Sequence, residues 1–230
     1  MERTIKTTMT FSWILFLYLQ LKPALPNTFL NEMNISFVYI PVDNHASASL
    51  KKGVWVSKYE VTQQVWENVM GFNPSLQKGA SHPVENVSWN EIQTFLAKLN
   101  QLDSAKQYRL PYSWEWQLFS DIEETPLLDY VRRHEWTRLN SGKRHHPVGS
   151  LPPNRYGICD TLGNVMEWCQ ETYSSCAKER SLKIADKAAG WKVYTGGHFH
   201  GDPNLCQSRL GFDADYKSIF LGFRLVCEEK

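Results

Sequence analysis

Turn-forming residues in the second half of the chain limit its fold more than any other feature. Beyond about residue 120, Pro, Gly and Asn recur so often that only short strands and loops fit between them. The sequence contains no heptads, no repeat of fixed period and no low-complexity tract. We therefore expect a loop-rich second half.

Regular elements are predicted in the first half. Residues 35–42 and 54–61 are rich in β-branched and aromatic side chains, which favour strands. Thr62 can cap a short helix that runs to about Met70, where Gly71 ends it.

The clearest local signal is a capping box, in which Ser88 and Glu91 each satisfy a free backbone N–H at the start of a helix. An apolar stripe follows at helical spacing, formed by Ile92, Phe95, Leu96 and Leu99. We expect a helix over residues 89–100 and another that starts near Tyr112 or Ser113 and runs to Phe119.

Composition indicates one domain with a sizeable core. The chain has 230 residues, of which 42% are hydrophobic and 13% aromatic. Lys and Arg total 25 against 24 for Asp and Glu, and no basic stripe suits a phosphate backbone. Nucleic acid is therefore not the expected partner. The nine Trp and ten Tyr suit either an irregular core or a binding surface.

The N-terminus resembles a secretory signal. Arg3 and Lys6 precede an apolar run over residues 11–21, which is shorter than the ~20 residues of a membrane-spanning helix. The alternative is a buried N-terminal helix. The expected organisation is a signal peptide over 1–26, a linker over 27–36 and one domain over 37–230. The mature protein is then secreted, periplasmic or otherwise exported, with no transmembrane helix.

The five cysteines are Cys159, Cys169, Cys176, Cys206 and Cys227. None forms a C-x-x-C pair, so a structural zinc site has little support. In an oxidising compartment one or two disulfides are expected, and the odd count leaves at least one thiol free or paired between chains.

Several segments carry a resemblance to a known family. They are Phe37–Pro41, Lys58–Thr62, His82–Trp89, Arg109–Pro111, Glu115–Trp116, His146–Gly149, Pro153–Gly157, Leu162–Trp168, Gly196–Gly197 and Leu221–Arg224. In this order the chain from Phe37 to Cys227 resembles the sulfatase-modifying-factor (formylglycine-generating enzyme) family. The resemblance implies a C-type-lectin-like α+β fold, with two main helices packed against short, twisted strands and a high loop content.

The resemblance also raises the question of copper. The family includes enzymes that use oxygen and copper to oxidise a sulfatase cysteine to formylglycine, with the metal held between two cysteines. Cys206 matches the second cysteine, whereas Gly201 stands at the first. Three further family positions are changed to Met166, His198 and Phe220. Copper is therefore not expected here.

Other metal or catalytic groups remain candidates. If His198 and His200 lie on a strand, both rings point to one face and could bind zinc or copper together with Cys206. The alternative is that the two histidines are partly exposed residues lining a shallow groove. Cys206 is the candidate catalytic thiol, and the alternative is a buried or disulfide-bonded cysteine.

A structural calcium site is implied by the family pattern. The matching positions are Asp160, Gly163, Val165 and Glu167, which would offer two side-chain and two backbone oxygens. The alternative is that Asp160 and Glu167 tie down the turn around Gly163. Arg224 is expected to pair with a core carboxylate, because a buried guanidinium needs a partner.

Three functions are compatible with these residues, because fold membership alone does not fix chemistry. The first is an exported, non-copper binding module for a peptide, protein or small molecule. The alternative is an oxidoreductase acting on a protein cysteine or small molecule, as in formylglycine-generating or pyoverdine-maturation relatives. A third is an accessory protein that works beside a sulfatase or oxidase. Enzymatic activity is left open.

Overall fold

A computed structural model describes residues 27–41, 53–121, 128–173, 190–203 and 209–230. The expected signal peptide lies outside these ranges, as do Cys176 and Cys206. In the described ranges, no helix is long and apolar enough to cross a membrane.

A five-stranded antiparallel sheet joins the two ends of the described chain. Its strands, in spatial order, are β1 (Thr28–Leu30), β2 (Ser36–Ile40), β3 (Val54–Ser57), β9 (Val226–Glu229) and β4 (Lys106–Arg109). Cys227 of β9 pairs with Trp55 on one side and Tyr108 on the other. Strand β9 therefore lies between two strands from the first half.

The expected linker over 27–36 contributes to this sheet, which corrects its description as a linker. Phe29 of β1 pairs with Phe37 of β2, and their rings stack with centroids 5.1 Å apart. The short strand was missed because three residues are too few to show a periodic pattern.

A second, four-stranded sheet carries the candidate functional residues. Its spatial order is β7 (Leu210–Phe212), β6 (Lys192–Thr195), β5 (Met166–Thr172) and β8 (Leu221–Gly222). Strands β5 and β8 run parallel, with Glu167 opposite Gly222, and the other pairs are antiparallel.

The described residues contain four helices: α1 (Gln63–Met70), α2 (Trp89–Leu102), α3 (Ser113–Ser120) and α4 (Leu128–His134). The first three confirm the sequence predictions, including the Thr62 cap and both bonds of the capping box. Helix α4 was missed, and the expectation of short strands and loops beyond Phe119 is wrong there. Val131 is the buried side chain of α4. One buried position does not make an apolar stripe, so periodicity does not reveal this helix.

Two groups of buried side chains form the core. One lies around α1 and α2, where Trp66 and Phe95 stack with centroids 5.2 Å apart. The other contains Val38 and Ile40 of β2 together with Trp116 of α3. Alternation along β2 places Phe37 in the first group and its neighbour Val38 in the second.

Candidate functional site

Arg224 and Glu167 form a buried ion pair, which confirms the expectation that Arg224 pairs with a core carboxylate. Arg224 Nε lies 2.7 Å from Glu167 Oε2, and Nη2 lies 2.7 Å from Oε1. Trp116 Nε1 also donates to Glu167 Oε2 at 2.9 Å. Arg224 Nη2 donates further to the carbonyl oxygens of Cys159 and Asp160, each at 3.0 Å. The guanidinium therefore fixes both β5 and the loop before it.

Two more carboxylates lie near this pair, so negative charge exceeds positive charge in the core. Glu60 accepts hydrogen bonds from Val165 N at 3.0 Å and from Asn164 Nδ2 at 2.7 Å. Burial raises the pKa of Glu60 well above its ordinary value, and Asp160 adds to the rise. Burial likewise raises the pKa of Asp160 to about 6. A bound cation would relieve this excess charge.

The predicted calcium residues fit a cation unequally. Asp160 Oδ2 accepts a hydrogen bond from Gly149 N at 2.6 Å, whereas Oδ1 is buried and has no hydrogen-bond partner among the described residues. Glu167, in contrast, uses both oxygens for Arg224 and Trp116. Asp160 Oδ1 is therefore the oxygen best placed to receive a cation.

The other two predicted calcium ligands, Gly163 and Val165, would supply backbone oxygens. Their side chains therefore give no evidence for a cation, and only their packing can be examined. A Cβ on Gly163 would lie 2.1 Å from the carbonyl oxygen of Trp136, so packing alone explains this glycine. In the described ranges, no three His, Cys, Asp or Glu side chains are grouped to hold a metal ion. The predicted calcium site uses two carboxylates and two backbone carbonyls, so the absence of a group of three such side chains does not test it. Calcium therefore stays a prediction.

The segment after Gly197 forms a turn, so the strand that would bring the His198 and His200 rings to one face is not formed. Strand β6 ends at Thr195 because Gly196 and Gly197 adopt positive φ of 98° and 66°. In the turn, His200 N donates to His198 Nδ1 at 3.3 Å, and His200 is exposed. Burial, with a contribution from His200, lowers the pKa of His198 to about 4. His198 is therefore neutral at pH 7.

The four departures from the family pattern lie together. The His198 ring contacts the Phe220 ring with centroids 4.3 Å apart, and Met166 N donates to the Phe220 carbonyl oxygen at 2.7 Å. Gly201 N donates to the His198 carbonyl oxygen at 2.7 Å, and a Cβ on Gly201 would lie 3.0 Å from that oxygen. His198, Gly201 and Phe220 therefore lie next to one another, and Met166 is joined to Phe220 through its backbone.

Cysteine chemistry in the described core is suppressed. Cys159, Cys169 and Cys227 are buried and form no disulfide. Burial raises the pKa of the Cys159 and Cys227 thiols to about 12, and that of Cys169 is raised as well. These thiols are therefore poor nucleophiles. The predicted catalytic residue, Cys206, lies outside the described residues.

Sequence reasoning missed the buried polar group centred on Asn164. This side chain donates to Glu60, and its Oδ1 accepts a hydrogen bond from His146 N at 2.8 Å. The sequence contained a partial signal for this group: Glu60 is an acidic residue within the strand-like segment 54–61, and Asn164 follows a glycine. His146 itself stacks on Trp136, with ring centroids 3.8 Å apart.

The comparisons define the class of protein. The chain belongs to the family whose model is described as "Sulfatase-modifying factor enzyme 1-like domain", which matches residues 28–229. The resemblance predicted from sequence is confirmed, as is the α+β fold.

Individual relatives carry different activities by name. The chain is 27% identical to the chaperone protein LppX of Paenibacillus barcinonensis, over 60% of this chain and 69% of that protein. It is 26% identical to a formylglycine-generating enzyme of Streptomyces coelicolor, over 69% of this chain and 59% of that enzyme. It is also 26% identical to the inactive C-alpha-formylglycine-generating enzyme 2 of Mus musculus, over 71% of this chain and 55% of that protein. The chain thus spans less than two thirds of either enzyme-related protein.

Solved structures support the fold. Treponema denticola variable protein 1 has a TM-score of 0.71 at 23% identity, covering 89% of this chain and 99% of that one. PvdO from Pseudomonas aeruginosa has a TM-score of 0.68 at 17% identity, covering 90% of this chain and 100% of that one.

Proposed function

We propose that this protein is an exported binding module that does not use copper. One observation carries the proposal: the first copper-binding cysteine of the family is replaced by Gly201, within a cluster that also includes His198 and Phe220. A Cu(I) ion held linearly needs two soft ligands, and this segment supplies at most one thiolate, from Cys206. The mouse relative named as inactive shows that the family includes proteins without this activity.

The turn over 198–203 and its neighbours form the proposed recognition surface. Phe199 is buried beneath it, while His198 and Phe220 are half-buried and His200 and Ile219 are exposed. Arg138 anchors the turn through an ion pair with Asp202 and a backbone hydrogen bond from its N–H to the Gly201 carbonyl oxygen. Such a mixed aromatic and polar surface suits a peptide, a protein loop or a small molecule.

A direct assay tests the absence of copper chemistry. Purified protein, supplied with Cu(I), is incubated with a cysteine-containing sulfatase peptide, and aldehyde formation is followed by mass spectrometry. We expect no conversion under conditions in which an active formylglycine-generating enzyme converts the peptide. Conversion by the wild-type protein would contradict the proposal.

A matched variant tests the reason for the missing activity. Gly201→Cys restores the first of the two cysteines, and the contact of 3.0 Å to the His198 carbonyl oxygen requires only a small local shift. We expect the variant to bind Cu(I) more tightly than wild type, measured by competition with a Cu(I) chelator. Equal Cu(I) affinity in the two proteins would show that Gly201 is not the reason for the missing copper site.

The second candidate is an oxidoreductase centred on Cys206 with His198 or His200. It is favoured by the low pKa of His198, because an imidazole that is neutral at pH 7 offers a ring-nitrogen lone pair to a metal ion. Metal analysis of protein made without a histidine tag separates the two functions. Stoichiometric copper, iron or zinc that is lost in both His198→Ala and His200→Ala supports the enzyme, and its absence supports the binding module.

We also propose that calcium, where bound, has a structural role at Asp160. Excess calcium should raise the melting temperature of wild type, because a ligand that binds the folded state stabilises it. The rise should shrink in Asp160→Asn and remain in Asp129→Asn, since Asp129 is exposed on α4. Equal rises in the three proteins would argue against calcium at this site.

Export is proposed from the apolar run over 11–21. N-terminal sequencing of protein recovered from the extracellular or periplasmic fraction tests it. Retention of residues 1–26 on protein found entirely inside the cell would contradict it.

A further inference from the structure

Two histidines from separate loops meet beside the recognition surface. The Nδ1 atoms of His82 and His145 lie 2.9 Å apart. The same loops are joined by a backbone hydrogen bond from Val148 N to the Ser81 carbonyl oxygen at 2.9 Å. Gln77 Nε2 adds a hydrogen bond to the His145 carbonyl oxygen at 2.7 Å. The histidine pair is therefore part of the connection between the segment before α2 and the segment over 145–148.

The distance between the two rings determines how many protons the pair can hold. At 2.9 Å one Nδ1–H donates to the lone pair of the other Nδ1, so only one of these two nitrogens carries hydrogen. Protonating both imidazoles would point two N–H groups at each other and place two positive charges in contact. The second proton therefore breaks the hydrogen bond.

The surroundings of the two rings differ. His145 is buried, and its Nε2 has no hydrogen-bond partner among the described residues and lies 3.9 Å from Glu85 Oε1. Glu85 is also buried and accepts hydrogen bonds from the backbone N–H groups of Leu76 and Gln77. A proton on His145 thus gains a carboxylate neighbour.

His82 has the opposite surroundings. The charged or titratable groups that act on it are His145, His146 and Arg144, and each disfavours a positive charge there. Glu85 lies near Nε2 of His145, whereas His82 contacts Nδ1 of that ring. The proton that His82 takes up is therefore the one that separates the rings.

The pair also supports the turn over 198–203. The His145 ring packs against the ring of buried Phe199, with centroids 6.0 Å apart. Phe199 is held in turn by hydrogen bonds from its N–H to the Asn164 carbonyl oxygen and from Ser141 Oγ to its own carbonyl oxygen. Displacing His145 removes the support beneath Phe199.

We propose that the histidine pair is a pH-sensitive link, which fixes the turn over 198–203 at neutral pH and releases it when both imidazoles are protonated. Burial, followed by His145, lowers the pKa of His82 below its ordinary 6.5. The unfolded or opened form then binds this proton more readily than the closed form. The stabilisation is present above about pH 6.5 and is lost as the pH falls below it.

Hydrogen exchange of individual amides tests the link in the full chain without any ligand. We compare pH 7.5 with pH 5.0, after correction for the intrinsic exchange rate, at the amides of Val148 and Phe199. We expect protection of both to fall by at most about tenfold for each pH unit below about 6.5, until the pH reaches the lower pKa of His82 in the closed form. The Ile92 amide in α2, which donates to Ser88, should keep its protection.

Variants assign the effect to the pair. In His82→Gln, the protection of Val148 and Phe199 should no longer depend on pH in this range, whereas His134→Gln, changed on α4, should behave as wild type. His198 does not confuse the comparison, because its pKa of about 4 leaves it neutral at pH 5.0. A pH dependence that persists in His82→Gln would overturn the proposal.

A measurement on wild type covers the case in which His82→Gln fails to fold. Imidazole titration by NMR should show two separate steps for His82 and His145, with the lower step coinciding with loss of Val148 protection. Two independent titrations near 6.5, or a protected Val148 amide after both steps, would refute the link. Neither readout depends on the binding function, so this proposal and the proposed function can fail separately.

Discussion

At the residue scale, the fold depends on one buried guanidinium. Arg224 neutralises Glu167 and also donates to two backbone carbonyls of the loop before β5. The ion pair is completely desolvated, so removing one partner leaves an uncompensated charge in the core. The irregular loop before β5 is fixed in this way by hydrogen bonds from a side chain.

Arg224→Met should lower the free energy of unfolding by about 3–5 kcal/mol, because Glu167 then stays buried without its partner. Urea denaturation of wild type and variant measures the difference. The double variant Glu167→Leu/Arg224→Met should recover part of the loss, since it removes the Glu167 carboxylate together with its partner. A double variant less stable than Arg224→Met would contradict this explanation.

Glu135 should make stability depend on pH. Its carboxyl is buried, which raises its pKa from 4.5 to about 8, and it accepts hydrogen bonds from Thr161 Oγ1 and Leu162 N. The folded state therefore holds this proton more firmly than the unfolded state. The contribution is fully present below pH 4.5 and is lost as the pH rises through about 8.

Glu135→Gln tests that dependence, because the amide does not titrate. The free energy of unfolding of wild type, relative to the variant, should fall by at most about 1.4 kcal/mol for each pH unit across this window. Glu67→Gln, exposed on α1, is the matched control and should follow wild type. The opposite contribution of His82 is common to all three proteins and cancels in the difference.

At the element scale, the sequence predicted helices where a local signal exists. The Thr62 cap and the capping box of α2 are short-range patterns, and the structure shows both. Helix α4 lacks such a pattern. A strand was considered for the His198–His200 segment because alternation would bring both rings to one face, but the positive φ of Gly196 and Gly197 ends β6 first.

The candidate site was predictable only in part. Arg224 was expected to need a carboxylate, but its choice of Glu167 depends on the parallel pairing of β5 with β8, which no local pattern encodes. The meeting of His82 with His145 joins positions 63 residues apart, and it is equally invisible to periodicity. Long-range packing therefore accounts for what the sequence did not reveal.

Ser88→Ala tests the strongest local signal. The Ser88 hydroxyl accepts a hydrogen bond from Glu91 N at 3.2 Å, and losing it should cost about 1 kcal/mol in the free energy of unfolding. Thr94→Ala, exposed on the same helix, is the control and should leave stability nearly unchanged or slightly raised. Chemical denaturation of both variants measures this, and equal losses would show that the cap is not the cause.

At the scale of the whole molecule, the two ends of the described chain are interlocked. Strand β9 lies between β3 and β4, and Val226 and Cys227 are buried there. The helices α1 and α2 pack on side chains that include Cys227 itself. The second sheet is tied to the first through Arg224, two residues before β9.

Truncation tests this dependence. A chain that ends at Leu225 lacks β9 and should not reach the native fold, as judged by loss of near-ultraviolet circular dichroism and of a cooperative thermal transition. A chain that ends at Glu228 keeps the buried pairs of Val226 and Cys227 and should remain folded with reduced stability. A cooperative native fold in the shorter chain would contradict the central role of β9.

The position of β9 has a consequence for biosynthesis. During translation, β3 and β4 emerge long before residues 226–229, so β3 must wait with one edge unpaired and β4 with both. Unpaired edges are sites of aggregation, so the nascent polypeptide is most vulnerable in the interval before its last strand is made. Slow translation just before residues 226–229, or scarcity of chaperones that cover exposed strands, should reduce the yield of soluble protein.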